Sequence, residues 1–113
     1  MIVVVGAGVV GLACALAAAR RGREVCVLDR HPRVGQDSST HNSGVIHAGV
    51  YHPADSLKTR LCHEGRERLY AFCREFDVPH VACGKLIVAS PGDEARLDEL
   101  CRGAAANGAR LEA

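Results

Sequence analysis

The sequence has no run of basic residues, no C-x-x-C pair and no internal repeat. These absences argue against several classes of function. Its 113 residues carry a formal net charge of only +1, so nucleic acid is not favoured as a partner. The spacings of the six cysteines fit neither a zinc site nor a thioredoxin site, and we expect free thiols in a reducing cytosol.

Charge is also lacking at the N-terminus, where residues 1–19 are uncharged and Arg20-Arg21-Gly22-Arg23 follows. Hydropathy alone would allow a transmembrane helix or a signal sequence. No basic residue precedes the apolar run, however, and glycines at positions 6, 8 and 11 would interrupt a helix. A second strand-like run follows at βαβ distance, so we predict no transmembrane segment.

The first thirty residues predict a strand, a helix and a second strand. Ile2–Val5 is a β-branched run that ends at glycine, which is typical of a parallel strand buried on both faces. Residues 11–21 are rich in Ala and Leu and predict a helix, with Gly22 as its C-terminal cap. Val25–Leu28 completes a parallel crossover. The predicted class is α/β, with a Rossmann-like βαβ unit that binds FAD or NAD(P).

Beyond this unit, residues 31–53 form a long polar loop, which is uncommon unless it has a function. Asp55 or Ser56 is expected to cap a helix that runs to about residue 76. One apolar stripe of that helix is predicted to lie in the core. The stripe consists of Leu57, Leu61, Leu69, Phe72 and Phe76.

The last thirty residues predict a strand and a helix. Residues 84–89 form an apolar run typical of a strand, and residues 90–93 resemble a capping box. The helix that follows should bury Leu97, Leu100, Cys101 and Ala104 and end at Asn107-Gly108. Residues 109–113 are expected to start another strand.

Three glycines after the first strand have separate physical tasks. Gly6 permits the tight turn, Gly8 lets the backbone approach a pyrophosphate, and Gly11 lets the helix pack closely on the sheet. The helix N-terminus offers free N–H groups to the phosphates. Asp29, at the end of the second strand, is placed to accept hydrogen bonds from an adenosine ribose. A carboxylate there disfavours a 2′-phosphate, which leaves FAD or NAD.

The loop after Asp29 favours FAD over NAD, because its sequence resembles that of a family of FAD enzymes. The run His41-Asn42-Ser43-Gly44-Val45-Ile46-His47, together with Cys83-Gly84-Lys85-Leu86-Ile87-Val88-Ala89, resembles the L-2-hydroxyglutarate dehydrogenase/oxidase family. That family belongs to the group of FAD enzymes similar to D-amino-acid oxidase. The resemblance extends from residue 2 to about residue 100. Family members usually carry Glu at the position of Asp29.

The resemblance implies that the glycine turn and Asp29 line the ADP half of FAD, while the following loop runs past the pyrophosphate toward the flavin. Short polar side chains and glycines suit that path. The expected cofactor-binding residues are Gly6, Ala7, Gly8, Val10, Gly11, Asp29, Arg30, Ser38, Ser39, Asn42, Ser43 and Gly44.

His41 and His47 are the candidate catalytic residues. A histidine near a flavin can serve as a base, bind a substrate carboxylate or contact the reduced ring. The alternative is a loop histidine that only holds the backbone. The other four histidines are expected to be solvent-facing or structural. No metal site is expected, because neither candidate has a partner at ligand spacing.

The family implies oxidation of L-2-hydroxyglutarate to 2-oxoglutarate, with a quinone or oxygen as the electron acceptor. Two alternatives stay open. One is a related flavoenzyme of the glycerol-3-phosphate dehydrogenase type or the amino-acid or amine oxidase type, and the other is a nucleotide-binding module without catalysis. The expected location is the cytoplasm, with peripheral attachment to the inner membrane as an alternative.

Two strands are too few for a doubly wound sheet, so we expect the chain to be an N-terminal fragment of a longer protein. Residues 1–80 are expected to begin the FAD-binding domain and residues 81–113 to begin a substrate domain. The isolated fragment should be poorly stable, because its sheet would expose an edge and a face.

Overall fold

The computed structural model describes residues 1–109 and 111–112, which divide into two compact units, Met1–Gly44 and Val45–Ala113. The first unit contains β1 (Ile2–Val5), α1 (Val9–Ala19), β2 (Val25–Leu28) and a short 3-10 turn at Asp37–Ser39. The second unit contains α2 (Leu57–Glu75) and α3 (Glu94–Ala106). The fold is therefore α/β, with a small parallel sheet and helices, as expected.

The strands β1 and β2 are parallel, and both have the predicted bounds. Their register pairs Ile2 with Val25 and Val5 with Leu28. The ladder continues at both ends, where Ile2 N–H donates to Glu24 at 2.8 Å and Gly6 N–H donates to Leu28 at 2.7 Å. The ladder thereby carries the chain directly from β1 into the glycine turn.

One face of this sheet is covered by α1 and the other is exposed, as predicted for a sheet of only two strands. Val4 faces α1 and is half-buried, but Val5 is 85% exposed. The alternation has a simple cause: a single crossover helix can cover only one side of two strands. The apolar run therefore predicted the strands correctly, and the exposed second face is the one expected when no further element covers it.

Helix α1 begins two residues before the predicted start and ends two residues before the predicted end. Gly8 is its N-cap and has no side chain to offer. At the other end Gly22 has a φ of 71° and donates to Ala19, while Arg23 N–H donates to Ala18. This Schellman arrangement confirms Gly22 as the residue that ends the helix.

Helix α2 begins at a side-chain cap. Ser56 Oγ accepts a hydrogen bond from the Thr59 N–H at 3.1 Å, so Ser56 and not Asp55 is the cap. The predicted core stripe is wrong for the described residues, since Leu57 is 61% exposed and Phe76 is exposed as well. The buried positions of α2 are Thr59 and Cys73. Amphipathic spacing correctly predicted a helix, but burial also requires a neighbour that packs on the stripe.

Residues 84–89 do not form the predicted strand. They are irregular and largely exposed, and Leu86 is 88% exposed. A strand needs an edge with which to pair its backbone groups, and within the described residues this run pairs with none. The cation of Lys85 instead lies 4.4 Å from the centroid of the Tyr51 ring.

Helix α3 begins without the predicted capping box. Asp93 is itself the N-cap, its N–H donates to Ser90 at 3.0 Å, and its side chain makes no cap. The predicted end is confirmed: Gly108 has a φ of 70° and donates to Ala105. Ala104 is fully buried on the predicted apolar face.

The strand expected to start at residue 109 is not formed at Ala109, Leu111 or Glu112, while Arg110 and Ala113 lie outside the described residues. In the part of the chain that the structure describes, no helix has the length and apolar character needed to cross a membrane. The uncharged N-terminal segment is divided between β1 and α1.

Gly11→Ala should destabilise the protein by about 1–3 kcal/mol. A Cβ at Gly11 would overlap the carbonyl oxygen of Gly6 and lie 3.1 Å from its carbonyl carbon, so the turn and helix would have to separate. Gly103→Ala is the matched control. That helical position is open, and the change should stabilise by about 0.5–1 kcal/mol. Equal effects of both changes in denaturant unfolding would refute the packing role of Gly11.

Candidate functional site

The glycine turn between β1 and α1 is shaped by three different constraints. Gly6 has a φ of 105°, which L side chains rarely adopt. At Gly8 a Cβ would lie 3.1 Å from Ser39 Oγ, so a side chain would crowd the space in front of α1. Gly11 packs on Gly6 and on the Val4 side chain. The turn therefore keeps its backbone accessible at the N-terminus of α1.

The loop that follows β2 returns to this turn. Gly35 N–H donates to the Ala7 carbonyl at 2.9 Å, and Ser39 Oγ accepts from the Val9 N–H at 2.9 Å. Val9 is the first residue of α1, and its N–H is one of the groups that a helix leaves without an internal partner. The Ser39 hydroxyl thus lies where an anion at the helix N-terminus would bind.

Asp29 joins the turn to the end of β2. Its Oδ2 accepts from the Ala7 N–H at 2.6 Å, and its Oδ1 accepts from the His31 N–H at 2.8 Å. The Ala7 hydrogen bond, helped by that of His31, lowers the pKa of Asp29. An ionised carboxylate has about four acceptor positions, so two remain for ribose hydroxyls.

Arg30, His31 and Asp37 form a charged cluster beside Asp29. Asp37 Oδ2 is 2.9 Å from the Arg30 guanidinium and 3.0 Å from His31 Nε2. The hydrogen bond from Arg30 lowers the pKa of Asp37, and the same contact raises the pKa of Arg30. Asp37 also has a φ of 59°, an uncommon value for a residue with a side chain. The sequence prediction missed this role of Asp37, and its only sequence signal was an acid seven residues after Arg30.

These residues surround a cavity of about 440 Å³ in the first unit. Of the predicted cofactor-binding residues, six line it and the other six do not. The lining consists of Val5, Gly6, Gly8, Leu28, Asp29, Arg30, His31, Gln36, Asp37, Ser38 and Ser39. Ala7 is buried beneath the turn, while Val10 lies exposed on α1.

The predicted residues at the end of the first unit shape the loop itself. Asn42 Nδ2 donates to the carbonyls of Ser38 at 2.9 Å and Ser39 at 3.1 Å, and Asn42 Oδ1 accepts from the Gly44 N–H. His41 Nδ1 lies 2.9 Å from the Asp37 carbonyl. His41 therefore makes the contacts of a histidine that holds the backbone. Ser43 is exposed.

His47 lies in the second unit, exposed on the loop that precedes α2. The loop turns inward at Gly49, which is buried with a φ of 75°. A Cβ at Gly49 would lie 3.6–3.8 Å from Thr59 and Cys62, so its hydrogen faces α2. Packing on α2 accounts for this glycine.

The remaining sequence expectations concern cysteines and metals. Each of the six cysteines is free, and Cys73 is the buried one. Among residues 1–109 and 111–112, no three His, Cys, Asp or Glu side chains are gathered as a metal site would require.

A strand, a glycine turn and a helix, with an acid at the end of the next strand, define the class of dinucleotide-binding proteins. The chain belongs to the FAD dependent oxidoreductase (DAO) family, whose model matches residues 1–113. This membership confirms FAD as the cofactor of the family and oxidoreduction as its chemistry.

Several proteins that are similar to this chain are named mitochondrial L-2-hydroxyglutarate dehydrogenase. The chain is 52% identical over 92 residues to mitochondrial L-2-hydroxyglutarate dehydrogenase of Arabidopsis thaliana, which covers 81% of this chain and 19% of that protein. Identity to the protein of that name from Homo sapiens is 42% over 95 residues, 82% of this chain and 20% of the relative. Identity to the protein of that name from Caenorhabditis elegans is 42% over 112 residues, which is 96% of this chain and 26% of the relative.

The predicted resemblance is therefore confirmed, while the chain spans only about a fifth to a quarter of these relatives. The relatives are named as mitochondrial proteins, so the expected cytoplasmic location is not confirmed.

Asp29 should titrate below its usual pKa of 3.8. Because the folded-state pKa is lowered, its contribution to stability is fully present above the unfolded pKa and is lost as pH falls through the folded value. NMR titration of the Asp29 carboxyl should show this, with the Ala7 amide shifting at the same midpoint. In Asp29→Asn the Ala7 amide should lose that transition. A midpoint at or above 3.8 in the unaltered protein would contradict the claim that the Ala7 hydrogen bond lowers the pKa of Asp29.

Proposed function

We propose that the chain provides the ADP-binding part of an FAD-dependent oxidoreductase that oxidises L-2-hydroxyglutarate to 2-oxoglutarate, and that its βαβ unit is Rossmann-like. The observation that carries the proposal is the cavity in which Gly6, Gly8 and Asp29 meet at the N-terminus of α1. The substrate is inferred from the relatives, which bear the name of that enzyme.

The residues of this cavity fit the ADP half of FAD. Gly8 has no Cβ, which leaves room for a pyrophosphate beside the backbone. The Val9 N–H, which donates to Ser39 Oγ, could donate to a pyrophosphate oxygen instead. Asp29 is ionised at neutral pH and keeps free acceptor positions for ribose hydroxyls. Asp37 balances the Arg30 charge beside these groups, so the cavity does not depend on a phosphate to neutralise Arg30.

Oxidation of a secondary alcohol removes a hydride from carbon and a proton from oxygen. Bound FAD would supply the acceptor for the hydride. The protein must supply a base for the hydroxyl proton, and we assign this task to His47, an exposed imidazole within the run that resembles the family. His41 is the weaker candidate, because its Nδ1 is engaged with the backbone of Asp37.

The electron acceptor and the location are further parts of the proposal. Reduced enzyme must pass two electrons onward, to a quinone or to oxygen. A protein of this type acting with a quinone would need only peripheral contact with the inner membrane, since nothing in the proposed chemistry requires the active site to lie within the bilayer.

The full-length protein should purify yellow, with the absorption spectrum of a flavin. Under anaerobic conditions L-2-hydroxyglutarate should bleach that spectrum, whereas glycerol 3-phosphate and glycine should not. Colourless protein that binds NAD would refute the choice of cofactor. Bleaching by glycerol 3-phosphate or glycine alone would keep the flavin and refute the substrate.

His47→Ala should slow anaerobic flavin reduction by about 10²- to 10⁴-fold, which is the usual contribution of a general base. His80→Ala is the matched control, because His80 is an exposed histidine whose Nδ1 contacts the carbonyl of Val78, outside the loop. Stopped-flow reduction should be unchanged in the control. An unchanged rate in His47→Ala would remove the histidine from the chemistry.

A further inference from the structure

The loop between His47 and α2 is held by a side chain that is distant in sequence. Asn107, at the end of α3, is only 7% exposed. Its Nδ2 donates to the Gly49 carbonyl at 2.9 Å and to the His52 carbonyl at 2.8 Å, across 58 and 55 residues of sequence. One amide group therefore binds both sides of the inward turn of this loop.

The two carbonyls also fix the orientation of the Asn107 side chain. With the amide reversed, its oxygen would face two carbonyl oxygens and neither could be satisfied. In the observed orientation Oδ1 is buried without a hydrogen-bond partner among the described residues. Burying such an atom is unfavourable, so the two donated hydrogen bonds are what the asparagine contributes at this position.

Neighbouring contacts also restrict the end of α3 and the end of the loop near this asparagine. Gly108 ends α3, and a Cβ there would lie 3.3 Å from the His63 ring, so α3 stops close against α2. On the other side of the loop, the buried Thr59 donates its hydroxyl to the Pro53 carbonyl at 2.8 Å. Thr59 thus holds the loop where it enters α2, and Asn107 holds it nearer to His47.

We propose that Asn107 is a positioning residue, which holds the loop of residues 45–52 and thereby sets the place of His47. Its relevance to catalysis rests on the proposed function, whereas the hold on the loop does not. Without the two hydrogen bonds, the Gly49 and His52 carbonyls would turn to water. The backbone between Ala48 and His52 would then exchange among several conformations.

Asn107→Asp tests this hold in the full-length protein. At neutral pH the carboxylate cannot donate and repels both carbonyls, so the NMR order parameters of the backbone N–H groups of residues 45–52 should fall to below about 0.6. At a pH low enough to protonate the acid, one O–H can donate again. The order parameters should then return toward those of the unaltered protein measured at the same pH.

Two further variants make the result decisive. Asn107→Leu has a similar shape and no donor, so its lowered order parameters should persist at every pH. Ala106→Asp places the same charge at an exposed neighbouring position and should leave the order parameters of residues 45–52 unchanged. If Asn107→Leu does not fold, the comparison of Asn107→Asp at the two pH values still tests the proposal.

Unchanged order parameters in Asn107→Asp, a fall spread evenly over residues 45–109, or no recovery in acid would each overturn the proposal. The measurement needs neither flavin nor substrate. Failure of the hold on the loop is therefore distinguishable from failure of the proposed oxidation.

Discussion

The hydrogen bond from the Ala7 N–H to the Asp29 carboxylate is the contact on which the first unit depends. It joins the turn after β1 to the end of β2, and the same carboxylate fixes the start of the following loop through the His31 N–H. With the turn held, α1 can begin at Val9 directly over β1. An acid at this position is usually explained by the ribose it binds. Here Asp29 has a structural task, and an aspartate is short enough to perform it beside the turn.

The loop after β2 extends this arrangement by returning to the same turn. Asp37 binds Arg30 and His31, Gly35 contacts Ala7, and Ser39 contacts Val9. The cavity is therefore bounded by the glycine turn, two serines and the side chains of Asp29, Arg30, His31 and Asp37. Such a site would attract an anion through the helix N-terminus and not through a net positive charge. The low net charge of the chain is consistent with that mode of binding.

Local features could be predicted from sequence because neighbouring residues determine them. Ile2–Val5 and Val25–Leu28 had the predicted bounds, and Gly22 and Gly108 end helices as expected. Two predictions failed for one reason: the apolar stripe of α2 and the strand at residues 84–89 both need a packing partner. Asp37 and Asn107 were missed because nothing in their neighbours in sequence indicates the groups they bind.

The two units differ in what holds their functional groups. In the first unit the groups that would meet the cofactor are backbone N–H donors, glycines and one acid, so many side chains are compatible with them. This is why the glycine turn indicates a dinucleotide and no particular substrate. In the second unit the loop that carries His47 is held by the side chains of Asn107 and Thr59. Because such contacts depend on residue identity, it is this loop, more than the glycine turn, that can differ between oxidoreductases with different substrates.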